Sequence, residues 1–110
     1  MSNFFKKIFG GTNIQALKEK AEQGDALAQN KLGEAYEYGK GVNQDLREAA
    51  YWYKKAAGKG LAEAQFNLGV LYGAGEGVPQ SFDKAVELME KASRQGHQKA
   101  KITLDGFRSL

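Results

Sequence analysis

The chain of 110 residues contains no cysteine, one proline and one histidine. The absence of cysteine excludes disulfides and thiolate-bound metals, and a single histidine leaves little for a metal site. No apolar run approaches the roughly 20 residues that a membrane-spanning helix needs. The 16 basic and 13 acidic residues are nearly balanced, and a net charge of +3 does not indicate a nucleic-acid-binding protein. The sequence therefore indicates no cofactor, no metal and no nucleic-acid partner, and it does not favour a membrane protein.

Glycine, in contrast, is frequent, and the 14 glycines recur at matching places. Gly33 and Gly69 are 36 residues apart, as are Gly39 and Gly75. Other pairs at the same offset are Ala28 and Ala64, Leu32 and Leu68, Tyr36 and Tyr72, Ala49 and Ala85, and Ala56 and Ala92. A fixed period of this length is typical of stacked supersecondary units, so the sequence predicts a repeat protein.

Apolar periodicity and capping residues predict an all-α fold of about six helical segments in antiparallel pairs. Thr12 and Gln15 form a capping-box pattern for a first helix that ends near Gln23. Asp25 and Asp45 begin the two helices of the next unit. Further helices are expected at about 62–73, from 82 to Gly96, and at about 98–108. The predicted units are a half repeat at 12–24, full repeats at 25–60 and 61–96, and a partial repeat at 97–110.

The pattern Ala-x-x-x-Leu-Gly-x-x-Tyr-x-x-Gly-x-Gly-Val, which begins at Ala28 and again at Ala64, resembles the Sel-1-like repeat, a relative of the tetratricopeptide repeat. The first unit also contains the Trp-Tyr pair of that family at 52–53, whereas the second has Leu88-Met89 there. The resemblance implies a short α/α solenoid of Sel-1-like (TPR-like) repeats. It also implies an adaptor or scaffold for other proteins, with no catalysis.

The residues themselves offer no catalytic constellation, so we expect a non-enzyme. His97 follows Gly96 at a repeat junction, which is typical of a surface residue at a helix start. Glu34 and Glu37 lie at helical spacing on what we expect to be a solvated face. General acid/base catalysis would need burial that shifts the pKa of a carboxyl, and the sequence gives no sign of such burial. The Gly-rich segments at 39–41 and 75–77 recur with the repeat, so turns explain them better than phosphate binding does.

A protein-binding surface is expected on the first helix of each repeat, because the first helices line the inner surface of the tetratricopeptide relatives. With Ala28, Leu32 and Tyr36 buried, the opposite side of the first helices supplies the candidates. These are Asn30, Glu34, Glu37, Tyr38, Phe66, Val70 and Ile102. Together they would form a groove with an apolar floor at Phe66, Val70 and Ile102 and an acidic rim at Glu34 and Glu37. The alternative is that Phe66 and Val70 pack on the preceding first helix.

The amino-terminal segment at 1–11 is a second docking candidate. On a helix, its two lysines would lie opposite an apolar side formed by Phe4, Phe5, Ile8 and Phe9. Three interpretations stay open, namely an end cap of the solenoid, docking on a partner or a second copy, and docking on a membrane surface. The lysines interrupt the apolar run, so the segment does not resemble a secretory signal.

The expected function is a small cytoplasmic interaction module, an adaptor or a cognate inhibitor that binds another protein or peptide. One alternative is a structural solenoid that self-associates weakly through its open ends. Another is a membrane-peripheral factor that docks through the amino-terminal segment.

Overall fold

The computed structural model describes residues 13–109 as an all-α protein. Its six helices are α1 (Ile14–Glu22), α2 (Ala26–Tyr38), α3 (Leu46–Gly58), α4 (Ala62–Ala74), α5 (Phe82–Arg94) and α6 (Gln98–Arg108). The predictions for the segment with Phe4, Phe5, Ile8 and Phe9, and for Thr12, fall outside the described residues. None of the six helices is long and apolar enough to cross a membrane.

The helices pack in chain order, as a solenoid requires. Extensive contacts join each helix to the next one along the chain, from α1 with α2 to α5 with α6. The two full units, α2 with α3 and α4 with α5, are built from helices of equal length, 13 residues each. The molecule is elongated, with principal extents of 53 × 24 × 22 Å. The predicted architecture of stacked helical pairs is confirmed.

Polar side chains at the helix starts explain where most helices begin. Asp25 accepts a hydrogen bond from the backbone N–H of Ala28 at 3.0 Å, which satisfies a donor that the first turn leaves free. Asp45 and Ser81 cap α3 and α5 in the same way. At α1 the cap is Asn13, which accepts from the Ala16 N–H. Glycines in left-handed backbone end the first helices of both units, with φ of 69° at Gly39 and 68° at Gly75.

Small residues allow the two helices of a unit to approach closely. Ala49, Ala56, Ala85 and Ala92 are fully buried where second helices cross their neighbours. At Gly33 a Cβ atom would lie 2.5 Å from Cδ1 of Tyr53, so no side chain fits there. At Gly69 the corresponding atom would lie 3.0 Å from Cε of Met89. The predicted small-residue crossings are therefore confirmed, and Tyr53 and Met89 are the large side chains that fill them.

The last helix has a polar outward side. Asp105 stands at the position that Gly33 and Gly69 occupy in the full units, where a second helix would pack. It forms an exposed ion pair with Lys101 at 3.3 Å. Arg108, at the position of Tyr36 and Tyr72, pairs with Glu90. At these two positions, charged groups thus replace residues that pack against the second helix in the full units.

Candidate protein-binding site

The first helices α2, α4 and α6 lie side by side, and two polar contacts join them. Nδ2 of Asn67 on α4 donates to Oδ1 of Asn30 on α2 at 3.1 Å. Oε1 of Glu63 on α4 lies 2.8 Å from Nε2 of His97, the residue that caps α6. The neighbouring helices present one continuous surface to solvent. We call it the first-helix surface and define it by Glu34, Glu37, Tyr38, Glu63 and Val70. The candidate Ile102 does not belong to it, because Ile102 is equivalent to Asn30 and Phe66, whose side chains face the following unit.

Asn30 does not belong to this surface. The sequence places it on the open side of α2, but its side chain is only 6% exposed and bonds to Asn67. The expected placement is wrong because α4 covers this side of α2. A buried side-chain amide needs a partner, and residue 67 supplies it from the next first helix.

Phe66 is half-buried and turns toward the following unit. Its ring stacks on His97, with centroids 4.8 Å apart and planes 25° apart. It also packs against the apolar cluster that Met89 and Leu104 form. The phenyl ring of Phe66 therefore neither forms the floor of an open groove nor packs on the preceding first helix. His97 fixes it in place while starting α6.

Three carboxylates give the first-helix surface an acidic side. Burial raises the pKa of Glu34 above its ordinary value, the carboxylate of Glu63 raises it further, and Lys40 opposes both. Glu37 accepts a hydrogen bond from the hydroxyl of Tyr53 at 2.6 Å. Burial together with this bond raises the pKa of Tyr53. Glu37 thus holds a buried tyrosine, whereas Glu34 makes no side-chain hydrogen bond within residues 13–109.

Exposed apolar side chains lie on the same helices. Val70 on α4 is 39% exposed, and Ile102 on α6 is 69% exposed. Tyr38 is 63% exposed at the end of α2, where Lys40 lies over its ring at 5.5 Å. Sequence reasoning found these three residues but missed Glu63. The signal for Glu63 was present, because it sits in the first turn of the predicted helix at 62–73.

The described part of the chain holds no cluster of three or more residues suited to a metal ion. His97, at the helix start as predicted, uses both ring nitrogens within the fold. Its Nδ1 accepts the backbone N–H of Ala100 at 3.1 Å, and its Nε2 faces Glu63. The side chain is half-buried, so it is less open to solvent than a surface residue. Its role in the fold is to cap α6.

The repeat period corresponds to a known family. Residues 26–61 and 62–97 each match the model of the Sel1 repeat. The chain belongs to the Sel1 repeat family. Each matched unit starts one residue later than the sequence analysis placed it, and each ends with the residue that precedes the next first helix.

Solved Sel1 repeat structures share the fold. A Sel1 repeat protein from Oxalobacter formigenes has a TM-score of 0.83 and 42% identity, covering 84% of this chain and 70% of that one. Cysteine rich protein B of Helicobacter pylori has a TM-score of 0.78 and 37% identity, covering 83% of this chain and 68% of that one. In contrast to what the name of that protein indicates, the present chain contains no cysteine.

A curated relative matches one part of the chain. The secretory immunoglobulin A-binding protein EsiB of Escherichia coli O6:H1 is 43% identical over 47 residues, which is 43% of this chain. The chain spans only 10% of the length of that protein. Sel1 repeat proteins are in general modules that bind other proteins.

The two Sel1 repeats of this chain differ on the surface more than in the core. Leu32 and Leu68 are equivalent, and both are buried. Glu34 and Val70 are equivalent too, yet one is acidic and the other apolar. Tyr38 and Ala74 are equivalent as well, and only the first of them carries an aromatic ring. The first repeat therefore contributes charge and an aromatic ring to the first-helix surface, and the second repeat contributes an apolar side chain.

Proposed function

We propose that this chain is an adaptor or a cognate inhibitor that binds a segment of another protein along the first-helix surface. The observation that carries the proposal is the meeting of acidic and exposed apolar side chains on adjacent first helices. Glu34 and Glu63 interact electrostatically, and Val70 lies exposed on the same helix as Glu63. A basic segment with an apolar anchor is the complementary partner.

Electrostatics favour a cationic partner here. The carboxylates of Glu34, Glu37 and Glu63 lie on one surface, and desolvation already disfavours the charged form of Glu34. A lysine or arginine of a partner would neutralise this repulsion. Interactions of this kind steer encounter and weaken with salt, because the Debye length falls as ionic strength rises.

The apolar side chains supply the anchor. Val70 is exposed, and burying it against a partner removes apolar surface from water. Tyr38 adds an aromatic ring, a residue type that is frequent in binding hot spots. His97, the one histidine of the chain, already caps α6.

The resemblance to EsiB supports protein binding in general terms, because that relative is named for its binding of an immunoglobulin. The matched segment is a small part of EsiB, so it does not identify the partner. The partner of this chain is defined here by chemistry, as a segment that carries basic residues beside a large apolar residue.

The test is a selection from a displayed library of random peptides on the immobilised full chain. We expect enrichment of lysine or arginine next to a large apolar residue. The affinity of a selected peptide should fall at least tenfold in Glu34→Lys and in Val70→Ser. Glu37 is unsuitable for this test, since its replacement removes the acceptor of the Tyr53 hydroxyl.

The matched control is Glu76→Lys, which makes the same charge change on an exposed loop glutamate. We expect it to change the affinity less than twofold. All variants are compared after their helical signal and melting temperature are shown to equal those of the parent. If Glu34→Lys and Val70→Ser leave the affinity unchanged, or if Glu76→Lys lowers it equally, the proposal is wrong.

A further inference from the structure

An opening in the surface lies between α1 and α3, apart from the first-helix surface. It has a volume of about 250 Å³. The residues that define this opening, which we call the Gln29 notch, are Glu22, Gln29, Tyr51, Trp52, Lys55 and Lys59. Three of the six lie on α3 and Lys59 follows its last residue, so the second helix of the repeat and its C-terminal end form most of the wall.

The notch contains a buried acceptor without a donor. Gln29 is only 3% exposed, and its Nε2 donates to the carbonyl of Ala21 at 3.0 Å. Its Oε1 has no hydrogen-bond partner among residues 13–109. A buried carbonyl oxygen left unpaired is costly, so this atom favours any donor that enters the notch.

The second repeat satisfies the equivalent atom internally. Gln65 corresponds to Gln29, and its Oε1 accepts from Nε2 of Gln95 at 2.9 Å. The same Gln95 amide also donates to the carbonyl of Gly60 at 2.9 Å. In the first repeat, the residue at the position of Gln95 is Lys59, which donates to the carbonyl of Gly24. The substitution of glutamine by lysine thus leaves Gln29 without its internal donor.

Among residues 13–109, the two lysines of the notch form no ion pair, in contrast to the equivalent lysine of the second repeat. There, Lys91 forms an ion pair with Glu87 at 3.7 Å. The equivalent residues in the first repeat are Lys55 and Tyr51, and Lys55 lies over the tyrosine ring at 5.3 Å. In the described chain neither Lys55 nor Lys59 forms an ion pair with a carboxylate. Glu22 contributes one negative charge at the rim, which leaves the notch net cationic.

A pair of aromatic rings completes the notch. Tyr51 and Trp52 meet edge to face, with ring centroids 5.0 Å apart. Trp52 is half-buried, and its counterpart in the second repeat is Leu88, which has no ring. The notch therefore combines a buried acceptor, two ammonium groups and an indole, a set of groups that the second repeat lacks.

We propose that the Gln29 notch binds the C-terminal residue of a peptide. Such a residue carries an amide N–H, which donates to Oε1 of Gln29, and a carboxylate, which accepts from Lys55 and Lys59. Its side chain packs on the indole of Trp52. This site uses a different surface from the proposed function, so the two proposals can fail separately.

The experiment titrates the full chain with N-acetyl-L-alanine, whose amide, carboxylate and methyl group match the three parts of the notch. Trp52 is the only tryptophan, so its fluorescence reports occupancy directly. We expect saturable binding that is at least tenfold weaker for N-acetyl-L-alanine amide, which lacks the charge. We expect the same loss for 2-acetoxypropanoate, which replaces the N–H by oxygen and leaves Gln29 unpaired.

The second repeat provides the matched pair of variants. Lys59→Gln reproduces Gln95, and its amide is expected to bridge Gly24 and Gln29. It should weaken N-acetyl-L-alanine binding at least tenfold while leaving the melting temperature equal or higher. Gln95→Lys makes the reverse change in the second repeat and should leave binding within twofold.

Three results would overturn the proposal. One is the absence of saturable binding of N-acetyl-L-alanine. Another is equal binding of the acetoxy analogue, and the third is unchanged binding in Lys59→Gln. The affinity of a peptide for the first-helix surface should stay the same in Lys59→Gln, so failure of this site and failure of the proposed function are distinguishable.

Discussion

The two Sel1 repeats offer a direct test of how closely their helices approach, through Gly33→Ala and Gly69→Ala. The two glycines are equivalent in the repeat, and both lie within first helices. They differ in the side chain opposite. A Cβ at Gly33 would lie 2.5 Å from the ring of Tyr53, whereas one at Gly69 would lie 3.0 Å from the terminal methyl of Met89.

The expected magnitudes follow from two opposing effects. Replacing a helical glycine by alanine gains about 1 kcal/mol of helix stability in either variant. Overpacking costs about 1–3 kcal/mol or more, and the upper end applies where the neighbour is held. Tyr53 is fully buried and its hydroxyl is bonded to Glu37, so the ring cannot retreat. The methyl of Met89 is the end of a flexible chain and can move.

We therefore expect Gly33→Ala to lose about 2 kcal/mol or more of unfolding free energy, and Gly69→Ala to lie between no change and a gain of about 1 kcal/mol. Urea denaturation followed by circular dichroism measures both. The double variant Gly33→Ala/Tyr53→Met copies the second repeat, and it should recover part of the loss in a double-mutant cycle. Equal effects of the two alanines would refute this account of the crossings.

Further outcomes follow from buried and strained positions. Leu68→Ala should cost about 2–5 kcal/mol and lower a single melting transition, and a loss below about 1 kcal/mol would contradict its burial. Gly77→Ala should cost about 2 kcal/mol or more, since its φ is 73° and a Cβ would meet the carbonyl oxygen of Leu46 at 2.1 Å. A melting temperature equal to the parent's would argue against that turn. Glu34→Gln should stabilise by less than about 1 kcal/mol at neutral pH, because the raised pKa makes the folded carboxylate unfavourable. The advantage should shrink as pH falls through the raised pKa of folded Glu34 toward the ordinary value of 4.5, and it should be lost below that value, where the parent glutamate is protonated in both states. A gain that persists unchanged in acid would contradict the burial of Glu34.

The sequence predicted the helices and turns well, because nearby residues determine where each one begins or ends, and the same residue pattern occurs in both repeats. The caps at Asp25, Asp45 and Ser81, and the turn glycines Gly39 and Gly75, act within a few residues of their own position. Comparing two copies separates these residues from those that vary. The period therefore located the helices and their buried stripes without knowledge of the packing.

Contacts between units were harder to predict, because a period does not give the stagger of one first helix against the next. That stagger places Asn67 beside Asn30 and turns Phe66 toward His97. The bond from Tyr53 to Glu37 depends on how the two helices of a unit cross. Such placements follow from the rotation between helices, which side-chain patterns within one helix do not specify.

The difference between Gln29 and Gln65 has another cause. Both glutamines look alike in sequence, and both are buried. Only the identity of a residue 30 positions later, Lys59 for one and Gln95 for the other, decides whether the side-chain oxygen finds a donor. Pairings of this kind become visible once the helices are placed in three dimensions.

The central claim is that the first-helix surface binds a basic segment with an apolar anchor. The most direct measurement is an NMR titration of the ¹⁵N-labelled chain with a peptide selected on the parent protein. We expect the largest amide shifts at Glu34, Glu63 and Val70, with the second helices α3 and α5 little changed. Shifts centred on α3 and α5, with α2, α4 and α6 unaffected, would contradict the claim.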